Sequence, residues 1–247
     1  MIIELGLLTT TLILGISLLG SFITAAFGIG GGIVTLAGIA SLLPASAIIP
    51  VHGAVQTGSN AGRAALMARH FDPTAFGPFA IGALIGAALG GALVVELNPS
   101  ALQITLGLFI LWTILFKPPA ALARSAGLVG ASSSFLTMFV GGTGPFVITF
   151  IKTLGLDRMG VVATHGAFMT LQHGLKTLVF AFLGFAFSDW LLLILMMIGA
   201  GLIGTVLGKR MLMKVNEDHF KIVLNGILAV LAIRLIIVGL WPWIMGS

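Results

Sequence analysis

Two stretches of this 247-residue chain place ionisable and amide side chains at helical spacing inside otherwise apolar sequence. Residues three or four positions apart lie on one side of a helix, so each stretch predicts a polar helix face. The residues of the two faces are His52, Gln56, Ser59, Asn60 and Arg63, and then His165, Thr170, Gln172, His173 and Lys176. Exposing such groups to lipid is costly, so we expect both faces to line a polar interior or a water-filled path.

Each polar face also has a structural interpretation. For a single histidine, a hydrogen bond within a helix bundle is an equal alternative to contact with a ligand. Arg63 and Lys176 could extend their apolar stems and reach opposite membrane interfaces. The sequence therefore predicts buried positions for these groups and leaves their binding partners open.

Two glycine-rich segments stand where one predicted helix ends and the next begins. They are Gly28-Ile29-Gly30-Gly31-Gly32 and Gly141-Gly142-Thr143-Gly144-Pro145. Free N–H groups at the start of a helix carry partial positive charge and suit an anion. A tight turn or close helix packing is the alternative for either segment alone. The repetition favours a binding site that includes Gly28, Gly30, Gly31, Gly32, Gly141, Gly142, Thr143 and Gly144.

The acidic residues point the same way by their positions. All seven read as loop or helix-end residues, so the predicted helix interiors hold basic groups without a carboxylate. A cation path built on acidic rings is therefore disfavoured. A proton relay would fall to His52, His165 or His173. An anionic substrate fits this pattern best.

Composition indicates the elements that position these groups. The chain is 58% hydrophobic and 8% charged, whereas soluble domains carry about 25% charged residues. Its apolar segments reach the roughly 20 residues needed to cross a bilayer. We predict an all-α polytopic membrane protein with helices at 5–27, 31–43, 46–69, 74–96 and 100–116, then 122–140, 145–155, 158–183, 189–208 and 219–241.

The two halves, 1–117 and 118–247, resemble each other. His52-Gly53-Ala54 recurs 113 positions later as His165-Gly166-Ala167, and at the same offset Arg63 meets Lys176. The glycine segments also match at this offset, as does Gly86-Ala87 with Gly199-Ala200. We predict an internal duplication of about five helical segments in each half.

Loop charges indicate how the halves are oriented. An odd number of crossings per half, with both termini outside, places one set of basic residues in the cytoplasm and Glu96 and Asp189 opposite. That basic set is Arg69, Lys117, Arg124, Lys152, Arg158, Lys209, Arg210 and Lys214. Inverted repeats of this kind recur in secondary transporters. The short second helix of each half is predicted as part of a re-entrant hairpin, with a tilted full span as the alternative.

The segment Phe27-Gly28-Ile29-Gly30-Gly31-Gly32, the polar third helix and the repeat resemble the TauE/SafE family of sulfite exporters, over nearly the whole chain. In the second segment Thr143 and Pro145 replace two glycines of the pattern. The resemblance implies an inner-membrane permease for sulfite or small organosulfonates. By motif position it implicates Gly28, Gly30, Gly31 and Gly32, with Gly141, Gly142 and Gly144.

The sequence thus predicts a transporter of a small anion that works by alternating access between its halves, and not an enzyme. No cofactor or metal site is indicated, and the net charge of +5 is interpreted as a topology signal rather than a nucleic-acid surface. An anion channel and a non-transporting assembly component are the alternatives, and a homodimer and proton coupling stay open. Replacing Gly31 or Gly144 with leucine is expected to abolish transport and leave the protein folded.

Overall fold

A computed structural model describes residues 5–94, 98–117, 124–212 and 217–245. Within these ranges the chain forms ten α-helices and no strand. They are α1 Leu7–Phe27, α2 Gly31–Ala40, α3 Ala45–Leu66, α4 Phe76–Leu93, α5 Pro99–Leu115, α6 Ala126–Val140, α7 Gly144–Ile151, α8 Arg158–Phe182, α9 Phe187–Met211 and α10 Glu217–Met245. Each predicted helix is present, which confirms the all-α fold. Glu96 and Lys214, used in the topology prediction, lie outside the described residues.

Four helical segments are long and apolar enough to cross a membrane, in the part of the chain that the structure describes. They are Leu7–Phe27, Phe76–Leu93, Phe187–Met211 and Leu224–Pro242. Helices α3 and α8 have 22 and 25 residues but carry the polar faces. This composition confirms a polytopic membrane protein.

Helix boundaries differ from prediction mainly at the short elements. Helix α2 ends at Ala40 rather than at 43, and α3 ends at Leu66 before a separate 3-10 turn at Ala68–His70. The last helix continues through Pro242 to Met245. A proline in the final turn of a helix removes only one backbone hydrogen bond, so it does not end the helix there.

Helix α2 folds back along α1 as a tight hairpin. A Cβ at Gly31 would lie 1.6 Å from the backbone oxygen of Gly20, and a Cβ at Gly38 would lie 2.7 Å from the Ile16 side chain. Gly28, with a φ of 82°, ends α1 in the left-handed region and donates its N–H to Thr24 O at 2.9 Å. Only glycine adopts this conformation at low cost. The predicted hairpin geometry is thus present, and its depth in the membrane stays a prediction.

The helices of the two halves pack against each other in exchanged pairs. Helix α1 packs on α9 and α4 packs on α6, while α3 packs on α8 and α5 on α10. A Cβ at Gly86 would lie 2.0 Å from Ala131 O, and a Cβ at Gly204 would lie 2.1 Å from Leu18 O. Because Leu18 and Ala131 are themselves 113 positions apart, Gly204 is the partner of Gly86. This exchange agrees with an internal duplication, and the inverted orientation of the halves stays a prediction.

The predicted match of Gly86 with Gly199 is therefore wrong. A Cβ at Gly199 would meet nothing within 4 Å, and Gly199 is exposed. The offset between the halves grows from 113 to 118 before α9. Because glycine is abundant in these helices, the sequence alone offers a false match five residues away.

Replacing Gly204 with alanine is expected to lower the free energy of unfolding by about 1–3 kcal/mol, because the new methyl group overlaps the α1 backbone. Gly199→Ala is the matched control on the same helix and should leave stability unchanged or slightly raised. Thermal unfolding of both variants in detergent tests this. Equal melting temperatures for the two variants would contradict the close approach of α1 and α9.

Candidate functional site

The polar faces of α3 and α8 lie against each other, buried between the two halves. The buried polar side chains of α3 are His52, Gln56, Ser59, Asn60 and Arg63, and those of α8 are Thr164, His165, Gln172, His173 and Lys176. The predicted faces therefore turn inward, as expected for polar groups in an apolar helix. Arg63 is 2% exposed and Lys176 is fully buried.

Each half supplies a histidine that pairs with the cation of the other half. Lys176 Nζ lies 3.4 Å from His52 Nδ1, and Arg63 Nη2 lies 3.5 Å from His165 Nδ1. Neither side chain extends to a membrane interface, so the alternative that Arg63 and Lys176 reach opposite interfaces is wrong, and their role toward a substrate stays a prediction. The two pairs are related by the offset between the halves.

The glycine after each histidine makes room for the opposite cation. A Cβ at Gly53 would lie 2.7 Å from Lys176 Cε, and a Cβ at Gly166 would lie 3.4 Å from Arg63 Nε. The recurring His-Gly dipeptide is explained by this contact, because the histidine contacts the cationic head and the glycine admits its stem. The sequence showed the repeat without showing this reason for it.

Hydrogen bonding fixes the protonation of both histidines. An arginine offers no acceptor, so His165 Nδ1 must accept from Arg63 and carries no proton. His52 Nε2 donates to Gly32 O at 3.0 Å, which leaves its Nδ1 to accept from Lys176. These contacts favour the tautomer of each neutral ring that carries its proton on Nε2. His165 Nε2 points at the Gly144 backbone but has no partner in hydrogen-bond geometry.

Two helix N-termini converge on these side chains. The residue before α2 is Gly30, with a φ of 101°, and the residue before α7 is Thr143. Neither helix has a side-chain cap, and the N–H groups of Gly31, Gly32 and Gly144 meet no acceptor among the described residues. A helix N-terminus with free N–H groups attracts negative charge.

A small cavity joins the two N-termini to the polar faces. Its volume is about 30 Å³. Each half contributes five of the predicted residues to its wall: Gly30, Gly32, His52, Gln56 and Asn60 from the first, and Gly141, Gly142, Gly144, His165 and His173 from the second. His173 Nδ1 is buried there without a partner, and its ring packs edge-on against His52 at 5.5 Å.

Four predicted residues lie off the cavity wall and make structural contacts instead. Gly28 caps α1, and Gly31 packs against Gly20. The hydroxyl of Thr143 accepts a hydrogen bond from Gln172 Nε2, and that of Thr170 donates to Gly166 O at 2.7 Å. The expectation that Gly31→Leu leaves a folded protein is wrong, because no side chain fits at Gly31. At Gly144 the nearest atom to a new Cβ is His165 Nε2 at 3.5 Å, so a substitution there reaches the cavity.

Arg63 and Lys176 do not line the cavity. Each contacts a histidine that does, Arg63 through His165 and Lys176 through His52. Arg63 Nη2 also donates to Asn60 Oδ1, and Asn60 Nδ2 donates to Gln56 Oε1 at 3.1 Å. The acidic side chains that the structure describes, Asp72, Asp157 and Asp189, lie outside this buried region. Two buried basic side chains, with no carboxylate beside them among the described residues, favour a bound anion.

Several residues of the cavity wall and its support are absent from the predicted binding residues. Thr24, Ile29, Ile33, Pro145 and Met169 also line the cavity. Gln172 lies on the predicted polar face, and it holds the second glycine segment by accepting from Ser133 Oγ at 3.0 Å and donating to Thr143. Apolar wall residues could have been found only from their neighbours in the glycine segments.

A second, larger cavity lies beside one end of α3 and α8. Its volume is about 900 Å³. Apolar side chains such as Ile49, Phe139 and Phe180 line it, together with Asn98 between α4 and α5. Ile49 is one helical turn from His52. This vestibule therefore approaches the small cavity from the end of the bundle that holds the α4–α5 and α8–α9 connections.

Hydrogen bonds and apolar contacts cross the opposite end of α3 and α8. Lys209 Nζ donates to Leu66 O at 2.8 Å, and Arg158 Nη1 donates to Leu212 O at 3.2 Å. Beneath these bonds lies a buried apolar cluster of Met67, Val162, Ala163 and Leu212. The end that carries these basic residues thus has side chains from both halves across it.

The loop after α3 adds a further contact at this end. The N–H of Asp72 donates to Thr164 Oγ1 at 3.0 Å. The hydroxyl and N–H of Thr74 both donate to the Asp72 carboxylate, which lowers the pKa of that carboxyl below its ordinary value. The carboxylate therefore stays ionised and keeps the loop in this turn at neutral pH.

Comparison with known families identifies the chain. A family model described as sulfite exporter TauE/SafE matches residues 13–235, nearly the whole chain. Neither a curated protein nor a solved structure matches it. Members of this family are membrane transporters rather than enzymes. The chain, with its apolar helices and the buried polar faces of α3 and α8, belongs to the TauE/SafE sulfite exporter family.

Proposed function

We propose that this protein transports a small oxyanion, sulfite in the first instance, which binds between the N-termini of α2 and α7. The observation that supports this most is the buried donor set around the small cavity. His165 Nε2 and the N–H groups of Gly32 and Gly144 have no partner there, and Arg63 and Lys176 supply positive charge from behind. Buried donors without partners are costly, and an anion would satisfy them together.

Cavity size supports an inorganic oxyanion over a long organosulfonate. A cavity needs a volume of roughly 10–15 Å³ to hold one water. A cavity of about 30 Å³ therefore accommodates a group of very few heavy atoms. A sulfonate with an extended tail would need the wall to move. Sulfite, with a single sulfur and three oxygens, needs little rearrangement.

The ends of the bundle support alternating access. The vestibule approaches the site from one end, and Lys209, Arg158 and the apolar cluster cover the other end. By the positive-inside rule the covered end is cytoplasmic. In this proposal the protein sits in the inner membrane with both termini outside, and the present conformation faces outward. Rocking of one half against the other would open the basic end.

Sulfite flux into proteoliposomes tests this function, with sulfate, thiosulfate, taurine and sulfoacetate as competitors. We expect saturable flux that sulfite analogues inhibit and that long sulfonates inhibit weakly. Gly144→Val should reduce the flux at least about tenfold, because its side chain enters the cavity next to His165. Gly226→Val, where a Cβ meets nothing within 4 Å, is the control.

Three outcomes would change the proposal. Flux that rises linearly with concentration, without saturation, would indicate an anion channel. No flux from folded protein with any of these anions would remove the transport function. Equal flux in Gly144→Val and Gly226→Val would move the binding site away from α7.

A further inference from the structure

The two cation–histidine pairs have the same geometry but differ in the cation. Arg63 faces His165, and Lys176 faces His52, at almost equal distances of 3.5 and 3.4 Å. A guanidinium stays charged at every physiological pH, whereas a buried lysine loses its proton readily. The site therefore contains one permanent charge and one charge that depends on its surroundings.

The surroundings of Lys176 oppose a charge in the empty site. Its side chain is fully buried, and within the described residues its Nζ has one hydrogen-bond partner, His52 Nδ1. Helices α4, α6 and α7, which pack against α8, carry no ionisable side chain. The ionisable groups around Lys176 itself are basic, namely His52 and Arg63 on α3 and His165 and His173 on α8. The groups that face the N-terminal end of α8 are Arg69, His70, Asp72 and Asp157, near Gly160 and Thr164 and about 18–24 Å of helix away from Lys176. A buried ammonium with only basic neighbours is unfavourable unless an anion joins it.

The bond to His52 permits both protonation states of Lys176. His52 keeps its proton on Nε2 for Gly32 O, so its Nδ1 accepts from an Nζ–H. A neutral amine and an ammonium both supply that hydrogen. Protonation of Lys176 therefore changes the charge of the site without breaking its hydrogen bonds. Protonating His52 or His165 instead would replace an acceptor by a donor that faces a cation.

We propose that Lys176 gains a proton when the anion binds and loses it when the anion leaves, so that each anion travels with a proton. This inference rests on the proposed function and deepens it. The proton from water adds to the lone pair of Nζ, and the same proton returns to water on the other side. A monovalent anion would then cross without net charge. The sequence assigned coupling to the histidines, whereas the geometry favours the lysine.

Calorimetry of sulfite binding in buffers of different ionisation enthalpy counts the protons taken up. Near neutral pH we expect wild-type protein to take up about one more proton per bound sulfite than Lys176→Arg, in which the charge is permanent. Protonation of sulfite itself is common to both proteins and cancels in the difference. Arg63→Lys is the matched variant and should not take up fewer protons than the wild type.

The result separates this inference from the proposed function. Equal proton uptake by wild type and Lys176→Arg, with both binding sulfite, would overturn the coupling and leave transport in place. Loss of the extra proton in His173→Gln, but not in Lys176→Arg, would assign the coupling to His173 and also overturn it. If folded wild-type protein binds no sulfite, the proposed function itself fails. In proteoliposomes, Lys176→Arg should carry net charge with a monovalent sulfonate that the wild type carries without current.

Discussion

Replacing Arg63 with glutamine is expected to reduce sulfite flux by at least about 100-fold, since loss of one partner of a buried charge interaction costs about 3–5 kcal/mol. The same change should raise the melting temperature of the empty protein. Arg63 is 2% exposed, its Nε has no hydrogen-bond partner, and the described carboxylates lie elsewhere. A buried charge of this kind destabilises the fold until the anion arrives. Function and stability should therefore move in opposite directions.

Flux and thermal unfolding with and without sulfite test this pair of effects. Sulfite should raise the melting temperature of the wild type and not that of Arg63→Gln. Arg63→Lys keeps a charge but replaces the longer, planar guanidinium, whose Nη2 contacts both His165 and Asn60, by a shorter ammonium, so its flux should be intermediate. Arg69→Gln changes an exposed arginine just after the same helix and is the control. A lower melting temperature for empty Arg63→Gln, with sulfite stabilisation retained, would indicate a purely structural arginine.

The neighbouring glycines Gly31 and Gly32 are expected to give opposite phenotypes when changed to alanine. A Cβ at Gly31 would lie 1.6 Å from Gly20 O, a distance that the backbones of α1 and α2 must increase. A Cβ at Gly32 would lie 3.6 Å from Gln56 Oε1, an ordinary contact on the cavity wall. Gly31→Ala should therefore prevent folding. Gly32→Ala should fold and lose at least about tenfold in flux, because its methyl group occupies space the anion needs.

Size-exclusion profiles in detergent followed by flux measurements distinguish the two variants. We expect no monodisperse Gly31→Ala protein, and a wild-type profile for Gly32→Ala. A folded and active Gly31→Ala protein would show that α1 and α2 are not packed backbone to backbone. Wild-type flux in Gly32→Ala would place the anion away from the N-terminus of α2.

The helices of this protein were predictable from sequence because most of them are apolar segments bounded by glycine, proline or charge. The polar faces were predictable for a similar reason, since His52 and Arg63 in one half and His165 and Lys176 in the other recur at helical spacing. These are local patterns. They required no knowledge of which helices touch, and the structure confirms the elements that they predict.

The reciprocal pairing of histidines with cations was not predictable, because it depends on α3 packing against α8. The role of Gly53 and Gly166 follows from the same packing and was equally hidden. The true partner of Gly86 was missed because Gly199 and Gly204 differ in their contacts and not in their sequence context. The vestibule is likewise formed by residues from distant segments, such as Ile49 and Phe180.

The exchanged packing of α1 on α9 and of α4 on α6 has a consequence for how the chain is made. When the ribosome has completed the first half, α1 and α4 are in the bilayer, but the helices that cover their small-residue faces do not yet exist. The face of α4 at Gly86 and the face of α1 at Leu18, which Gly204 contacts in the folded protein, remain against lipid until α6 and α9 are inserted. The helices of the first half must therefore be inserted before the pairs α1–α9 and α4–α6 can assemble. Neither half completes its packing alone. A cut in the connection between α5 and α6 would yield two fragments, each of which supplies the missing neighbours of the other.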